Sequence, residues 1–128
     1  MTDIVILGGA RTAIGTFGGS LAGMAPIDIG TVAAKAALER SGLPADQIGT
    51  VVFGHVINTE PRDMYLSRVV AMQAGVPYGT PAMNVNRLCG SGVQAIVSAA
   101  QAFTLGGADF ALVTEQVSQE GNISEQRH

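Results

Sequence analysis

The sequence predicts an α/β fold in which parallel strands alternate with helices that cover both faces of the sheet. Short apolar runs bounded by glycine or proline alternate along the chain with longer segments of helical periodicity. Hydrophobic residues make up 47% of the sequence and charged residues only 13%, which is typical of a layered interior with little solvated surface. The 128 residues are enough for one domain with its own core.

The first strand and the first helix are predicted before residue 42. Ile4 to Leu7 form a continuous apolar run that stops at two glycines, as in a strand buried on both faces. A long glycine-rich loop follows and extends to Pro26. Asp28 is placed to cap a helix that ends at Gly42. The apolar face of this helix consists of Ile29, Val32, Ala33 and Ala36.

Two further strand-helix pairs and a last strand follow in the same alternation. The second strand is predicted at residues 50–57, the third at 82–86 and the fourth at 109–113. The helices between them end at Gly75 and Gly106. Their apolar faces consist of Leu66, Val69, Val70 and Gln73 in the second helix, and of Val93, Ile96, Val97 and Ala100 in the third. We therefore expect about four parallel strands and three helices, joined by right-handed crossovers.

Composition argues against several classes of function. A net charge of −3, with seven basic residues that form no stripe and with no Trp, argues against nucleic-acid binding. The chain has no basic leader and no apolar run of the roughly 18 residues that a membrane span needs, so we expect a cytoplasmic protein with no membrane contact. A single cysteine cannot form an internal disulfide, and no CxxC pair or His cluster suggests a metal.

The single cysteine lies where the third predicted strand ends and the third helix begins. It belongs to the segment Asn86-Arg87-Leu88-Cys89-Gly90-Ser91-Gly92. The helix start would direct unpaired NH groups at the sulfur and favour its thiolate form, and Gly90 and Gly92 leave room for a sharp turn. Free cysteines are also among the most buried residues, as inert small hydrophobes. The residues alone leave both interpretations of Cys89 open.

Other candidate residues are less well placed. His55, at the end of the second strand, could act as a base for Cys89 or could be a packed or capping residue, and His128 lies in a polar tail. Gly8 follows the first strand as in a dinucleotide site, but no complete G-x-G-x-x-G or phosphate-loop motif is present. Four arginines could meet an anionic ligand or be solvated or paired to acids, namely Arg11, Arg62, Arg68 and Arg87.

Three segments resemble the thiolases in their order and spacing. They are residues 10–19 (ARTAIGTFGG), residues 53–56 (FGHV) and residues 86–92 (NRLCGSG). The cysteine motif distinguishes the chain from the β-ketoacyl synthases, which share the fold but usually surround their cysteine with Ala and Ser. The segment from His55 to Ser98 looks most like the acetyl-CoA acetyltransferases of the broad-specificity β-ketothiolase type.

The resemblance implies a thiolase-like layered α/β/α fold and a role for each part of the chain. Residues 1–113 would be an incomplete amino-terminal half-domain, and residues 114–128 a non-homologous polar tail. Cys89 would attack an acyl-CoA thioester, carry the acyl group, and contribute its backbone NH to an oxyanion hole. Coenzyme A thioesters would be substrates, with no bound cofactor. Residues 82–86 would pair with a second copy or with another thiolase chain.

The resemblance also implies what these 128 residues lack. In the family, the His that activates the nucleophile, a second catalytic Cys and an oxyanion-hole Asn come from the second half, which has no counterpart here. The position of His55 matches a structural motif and not the one that carries the catalytic His. We therefore expect the chain to be inactive alone, through truncation or a frameshift. The alternative is a non-catalytic interaction module that pairs through an exposed sheet edge.

Overall fold

The computed structural model describes residues 3–116, without the side chain of Gln116, so that most of the predicted tail lies outside the described residues. The elements are α1 (Pro26–Ser41), β1 (Thr50–His55), α2 (Leu66–Gln73), β2 (Ala82–Val85), α3 (Ser91–Thr104) and β3 (Ala111–Gln116). Short 3-10 turns precede β1 at Ala45–Gln47 and α2 at Pro61–Tyr65. None of the helices within residues 3–116 combines the length and apolar character that a membrane crossing requires.

The three described strands form one parallel sheet in the order β2-β1-β3, which confirms the predicted α/β class. Val51 of β1 pairs with Ala82 on one side and with Leu112 on the other. The central strand is buried along its whole length, as its continuous apolar sequence predicts. It ends at His55, two residues before the predicted boundary at residue 57.

Helices cover both faces of the sheet, because successive side chains of β1 point to opposite sides. One face of the sheet packs against α1 and α2, in a cluster of Ile27, Ala34, Leu38, Ile48, Val51, Phe53, Leu66, Val70, Ala71, Val76 and Leu112. The other face packs against α3, in a smaller cluster of Val52, Ala95 and Ala99. The result is the three-layer α/β/α arrangement expected from the sequence.

The predicted first strand does not form. Ile4 to Leu7 have no strand assignment and are between 50% and 83% exposed. A strand needs a neighbour's backbone hydrogen bonds, and this segment pairs with neither free edge of the described sheet. The sheet therefore has three described strands and not about four. The segment instead borders a groove of about 960 Å³ that is also lined by residues of α1, α3 and β3.

Two predicted boundaries are corrected and the helix ends are confirmed. Asp28 lies inside the first turn of α1, because the helix begins with Pro26, a residue whose fixed φ suits a first helical position. The last strand extends over Ala111–Gln116 in place of 109–113. Gly42, as predicted, closes α1 in the left-handed conformation, with φ of 68° and its NH bonded to Glu39 O.

The predicted apolar face of α3 is wrong. Val93, Ile96 and Val97 are 70%, 50% and 43% exposed, whereas Ala95 and Ala99 are buried against the sheet. The reason is the close approach of this helix to β1. Only small side chains fit between them, so the larger ones face outward. In α1, Val32 is likewise exposed while Ile27 and Leu38 are buried.

Candidate active site

Cys89 lies beyond the carboxyl end of β2, as predicted, between the end of that strand at Val85 and the start of α3 at Ser91. Its thiol is free and exposed. Because β1 and β2 are parallel, their carboxyl ends meet at the same edge of the sheet, where α/β folds place their ligands. Of the two interpretations left open by the sequence, the inert buried thiol does not fit this exposure.

The residue before the cysteine has a strained backbone. Leu88 has a φ of 49°, and it is the one non-glycine residue within residues 3–116 with a positive φ. A side chain in this left-handed region costs about 1–2 kcal/mol, and such outliers persist where surrounding contacts hold them. Here the Leu88 NH donates to Asn86 Oδ1 at 3.0 Å, and the Leu88 carbonyl accepts from Ser91 Oγ at 2.7 Å.

The buried hydroxyl of Ser91 stabilises the turn through two hydrogen bonds to backbone groups. Its side chain is fully buried, and besides donating to Leu88 O its hydroxyl accepts from the Arg87 NH at 2.8 Å. One hydroxyl thus bonds backbone groups on either side of the Arg87-Leu88 peptide bond. Sequence reasoning treated Ser91 only as part of the motif, although a serine at a helix start is a common local hydrogen-bonding residue.

Two glycines allow α3 to begin against the sheet. A Cβ at Gly54 would lie 2.8 Å from the Ser91 carbonyl carbon and 2.9 Å from the Gly92 nitrogen. A Cβ at Gly92 would collide with the carboxylate of Glu115 on β3. Gly90, by contrast, has a φ of −97° that any residue adopts, so the sharp turn uses Leu88 and not Gly90. The helix start is therefore fixed against β1 and β3.

His55 is not bonded to the cysteine. Its ring is buried, its Nε2 donates to Asn58 Oδ1 at 2.8 Å, and its Nδ1 has no hydrogen-bond partner within residues 3–116. Because side chains alternate along β1 and Gly54 faces α3, His55 points to the opposite face. The structure therefore does not assemble a Cys89–His55 pair, and His128 lies outside the described residues.

Three of the four arginines considered as anion contacts, all except Arg11, have separate partners. Arg87 donates to Gln94 Oε1 at 2.8 Å, and Arg68 donates to Tyr78 O at 3.2 Å. Arg62 forms an exposed ion pair with Glu60. The hydrogen bond between these two side chains is the main reason why the pKa of Arg62 is raised. Within residues 3–116, no three side chains of the His, Cys, Asp or Glu types come together as metal ligands would.

Sequence reasoning missed two polar residues beside this site, Asp63 and Asn84. Asp63 is fully buried in the loop after β1, and Asn84 joins strand β2 to that loop. One signal could have pointed to Asn84, because an amide in the middle of the short apolar strand Ala82–Val85 needs hydrogen-bond partners.

Comparisons with known proteins agree with this fold. The family described as "Thiolase, N-terminal domain" matches residues 4–126. Beta-ketothiolase BktB of Cupriavidus necator is 56% identical over 110 residues, which are 86% of this chain and 28% of that protein. An acetyl-CoA acetyltransferase of the same organism is 43% identical over 116 residues, covering 91% of this chain and 29% of its own length.

The solved structures lead to the same family. The crystal structure of human mitochondrial 3-ketoacyl-CoA thiolase in complex with CoA superposes with a TM-score of 0.82 at 36% identity, over 84% of this chain and 27% of that one. The acetyl-CoA acetyltransferase of Bacillus anthracis gives a TM-score of 0.81 at 32% identity, over 87% of this chain and 28% of that one.

The matches cover most of this chain but only part of each relative. The chain spans less than a third of the length of these relatives, between 27% and 29%. The family match continues beyond residue 113, where a non-homologous tail was predicted, and that domain boundary stays a prediction. With nearly all of its residues matched and with the same fold in solved relatives, the chain belongs to the thiolase family, through its N-terminal domain.

Proposed function

We propose that Cys89 is the nucleophile of an acyl-CoA acyltransferase site. The observation that carries this proposal is an exposed thiol on a strained turn, fixed immediately before the N-terminus of α3. That helix terminus would stabilise an oxyanion formed beside it. The names of the relatives, acetyl-CoA acetyltransferase and 3-ketoacyl-CoA thiolase, support coenzyme A thioesters as the substrate class.

The proposed chemistry is an exchange of one thioester for another. Cys89 Sγ attacks the carbonyl carbon of an acyl-CoA, and the carbonyl electrons move to the oxygen, where the Cys89 backbone NH stabilises the oxyanion. The CoA thiolate then leaves, and the acyl group stays on Cys89. In condensation, the carbanion of a second acetyl-CoA takes the acyl group. In the reverse direction, Cys89 Sγ attacks the 3-keto carbon of a 3-ketoacyl-CoA, and the carbon–carbon bond breaks so that acetyl-CoA leaves as a carbanion that takes up a proton. The acyl group then passes from Cys89 to the thiol of a free CoA, and no bound cofactor takes part.

Turnover needs a base that these residues do not place at the thiol. The sequence contains two histidines, of which His55 is bonded to Asn58 and His128 lies outside the described part. We therefore propose that the 128-residue chain alone takes up an acyl group slowly and does not complete a catalytic cycle. This inactivity concerns the chain as given, in the absence of any partner.

Mass spectrometry tests both parts of the proposal. The purified chain is incubated with acetyl-CoA, and its peptides are searched for an acetyl group that hydroxylamine removes, as it removes a thioester. We expect acetylation at Cys89 and none in Cys89→Ala. Thiolysis of acetoacetyl-CoA is expected to stay at the level of Cys89→Ala. An unmodified Cys89 would contradict its role as nucleophile, and Cys89-dependent thiolysis would contradict the inactivity of the isolated chain.

A second candidate function is an interaction module, and a specific observation favours it. Within residues 3–116, β2 and β3 each pair only with β1, so both edges of the sheet are free, and the residues of β2 are the predicted contact with a second copy. If the chain pairs through β2, Met83→Lys should lower the dimer fraction in light scattering. Met72→Lys is the control, because Met72 on α2 is similarly exposed. A wild-type chain that is strictly monomeric would exclude this candidate.

A further inference from the structure

We propose that Asn84 is a positioning residue that, together with Asp63, fixes the orientation of strand β2 and thereby the position of the turn that carries Cys89. The inference rests on the proposed role of Cys89 as nucleophile. Neither side chain bonds to the cysteine. Both act on the elements from which the turn extends, and Asn84 lies five positions before Cys89 in the chain.

Strand β2 is weakly held by its own backbone. It has four residues, it pairs within the described part of the chain only with β1, and none of its residues is fully buried. The turn to Cys89 begins directly after it. Because a nucleophile displaced by about 1 Å can lose about a hundredfold in rate, the orientation of this short edge strand needs an additional anchor.

Asn84 supplies that anchor with every hydrogen-bonding group of its side chain. Its Nδ2 donates to the carbonyls of Asp63 and Met64, both at 3.2 Å, and its Oδ1 accepts from the Ser67 NH at 2.9 Å. Ser67 lies in the first turn of α2, a helix whose preceding residue, Tyr65, provides no side-chain cap. Asn84 therefore caps α2 from a neighbouring strand and ties β2 to the helix start.

Asp63 holds the other side of this junction. It is fully buried, and its Oδ2 accepts from Thr59 N at 2.6 Å, from Thr59 Oγ1 at 2.8 Å and from Glu60 N at 3.1 Å. Its Oδ1 has no hydrogen-bond partner within residues 3–116. The three bonds accepted by Oδ2 fix the loop at Thr59 and Glu60, close to the Asp63 carbonyl to which Asn84 donates.

The same loop is also bonded to the cysteine turn. Asn86 Nδ2 donates to Val56 O at 3.5 Å, while Asn86 Oδ1 accepts from the Leu88 NH at 3.0 Å. The loop of residues 56–65 is thus tied to β2 near its end, through Asn84, and to the turn at its start, through Asn86. A loop released at Asn84 would move the contact that holds Leu88.

Amide hydrogen exchange tests this inference without any activity. The full chain is compared with Asn84→Ala, Asn84→Asp and the control Gln101→Ala, which changes an exposed residue on α3. We expect Asn84→Ala to speed exchange of the Leu88 and Ser91 amides about tenfold or more, with the amide of buried Ala99 in α3 unchanged. Asn84→Asp keeps an oxygen that can cap α2 but replaces the amide donors with a carboxyl oxygen that faces the carbonyls of Asp63 and Met64, and it serves if Asn84→Ala does not fold.

The outcomes separate positioning from mere stabilisation. If exchange at Leu88, Ser91 and Ala99 rises equally, or if the turn is unaffected, the inference is overturned. The rate of acetylation of Cys89 by acetyl-CoA is measured on the same variants, and we expect a loss of about tenfold for Asn84→Asp and none for Gln101→Ala. If the wild-type Cys89 is not acetylated at all, the proposed function fails, while the exchange data still decide the positioning role.

Discussion

The two faces of the sheet are packed in different ways. The face toward α1 and α2 buries large side chains completely, including Phe53, Ile27 and Leu66. The face toward α3 buries Ala95 and Ala99, and the large residues of that helix point away from the sheet. One face is a conventional core, whereas the other is a close contact whose outer side is uncovered in the described residues.

The two faces have different roles in positioning Cys89. Large side chains hold the α1–α2 side together, and their removal would cost stability. On the α3 side, glycines and a buried serine bring the helix start against β1 and β3, which fixes the turn that carries Cys89. We therefore expect substitutions on the face toward α1 and α2 to lower the free energy of unfolding. Substitutions on the face toward α3 are expected to act on the turn that carries Cys89.

The largest expected effect is on the core face. Phe53→Ala removes a fully buried ring and should lower the free energy of unfolding by about 3–5 kcal/mol. Phe17→Ala is the matched control, because Phe17 is 70% exposed, and it should change stability by about 0.5 kcal/mol or less. Urea unfolding followed by circular dichroism measures both. Equal losses in the two variants would contradict the assignment of the core.

The close contact at the start of α3 should be broken by a single methyl group. Gly54→Ala places a Cβ 2.8 Å from backbone of Ser91, and we expect a loss of about 1–3 kcal/mol together with a displaced Cys89 turn. Gly79→Ala is the control, because a Cβ there has no neighbour within 4 Å. Stability and the alkylation rate of Cys89 are measured together. If Gly54→Ala behaves like the control, the helix does not approach as described.

The hydroxyl of Ser91 should matter for the turn more than for the fold. Ser91→Ala leaves the Arg87 NH without its acceptor and removes a bond to Leu88 O, so we expect a loss of about 1–3 kcal/mol. The exchange of the Leu88 amide should rise. Ser20→Ala, at an exposed loop position, is expected to change neither quantity. A Ser91→Ala variant with unchanged exchange at Leu88 would show that Asn86 alone holds the turn.

The smallest effect is expected on the outer side of α3. Ile96→Ala changes a residue that is 50% exposed and should alter stability by about 0.5 kcal/mol or less, whereas Ile27→Ala in the core should cost about 2–5 kcal/mol. Urea unfolding at several protein concentrations measures the difference. A large loss for Ile96→Ala that grows with concentration would mean that a second copy covers this face.

The sequence predicted the elements that carry the site. The uninterrupted apolar run of β1, the glycines that end the three helices, and the position of Cys89 between β2 and α3 are all confirmed. These features are local, since they depend on apolar runs and on residues that tolerate positive φ. The thiolase motif around Cys89 identified the family before any contact was known, and the family match confirms it.

Contacts between distant segments decided the rest. The apolar sequence of Ile4 to Leu7 predicts a strand, but a strand forms only when its backbone pairs with a neighbour, and this segment pairs with none of the three described strands. The periodicity of α3 predicted that Val93 and Ile96 face the sheet. A periodic pattern identifies the larger apolar residues but contains no information on the distance between helix and sheet.

The chain by itself therefore determined the α/β class, the family and the residue proposed to carry the acyl group. Only the tertiary structure decided what surrounds that residue. It placed His55 on the opposite face of β1, assigned the strained φ to Leu88 instead of a glycine, and brought Asn84 to the start of α2. Asn84 bonds to residues 17 to 21 positions away, and the turn at Leu88, although its own bonds are local, begins a helix that packs against β1 at Gly54. Packing between these segments, and not local preference, sets where they meet.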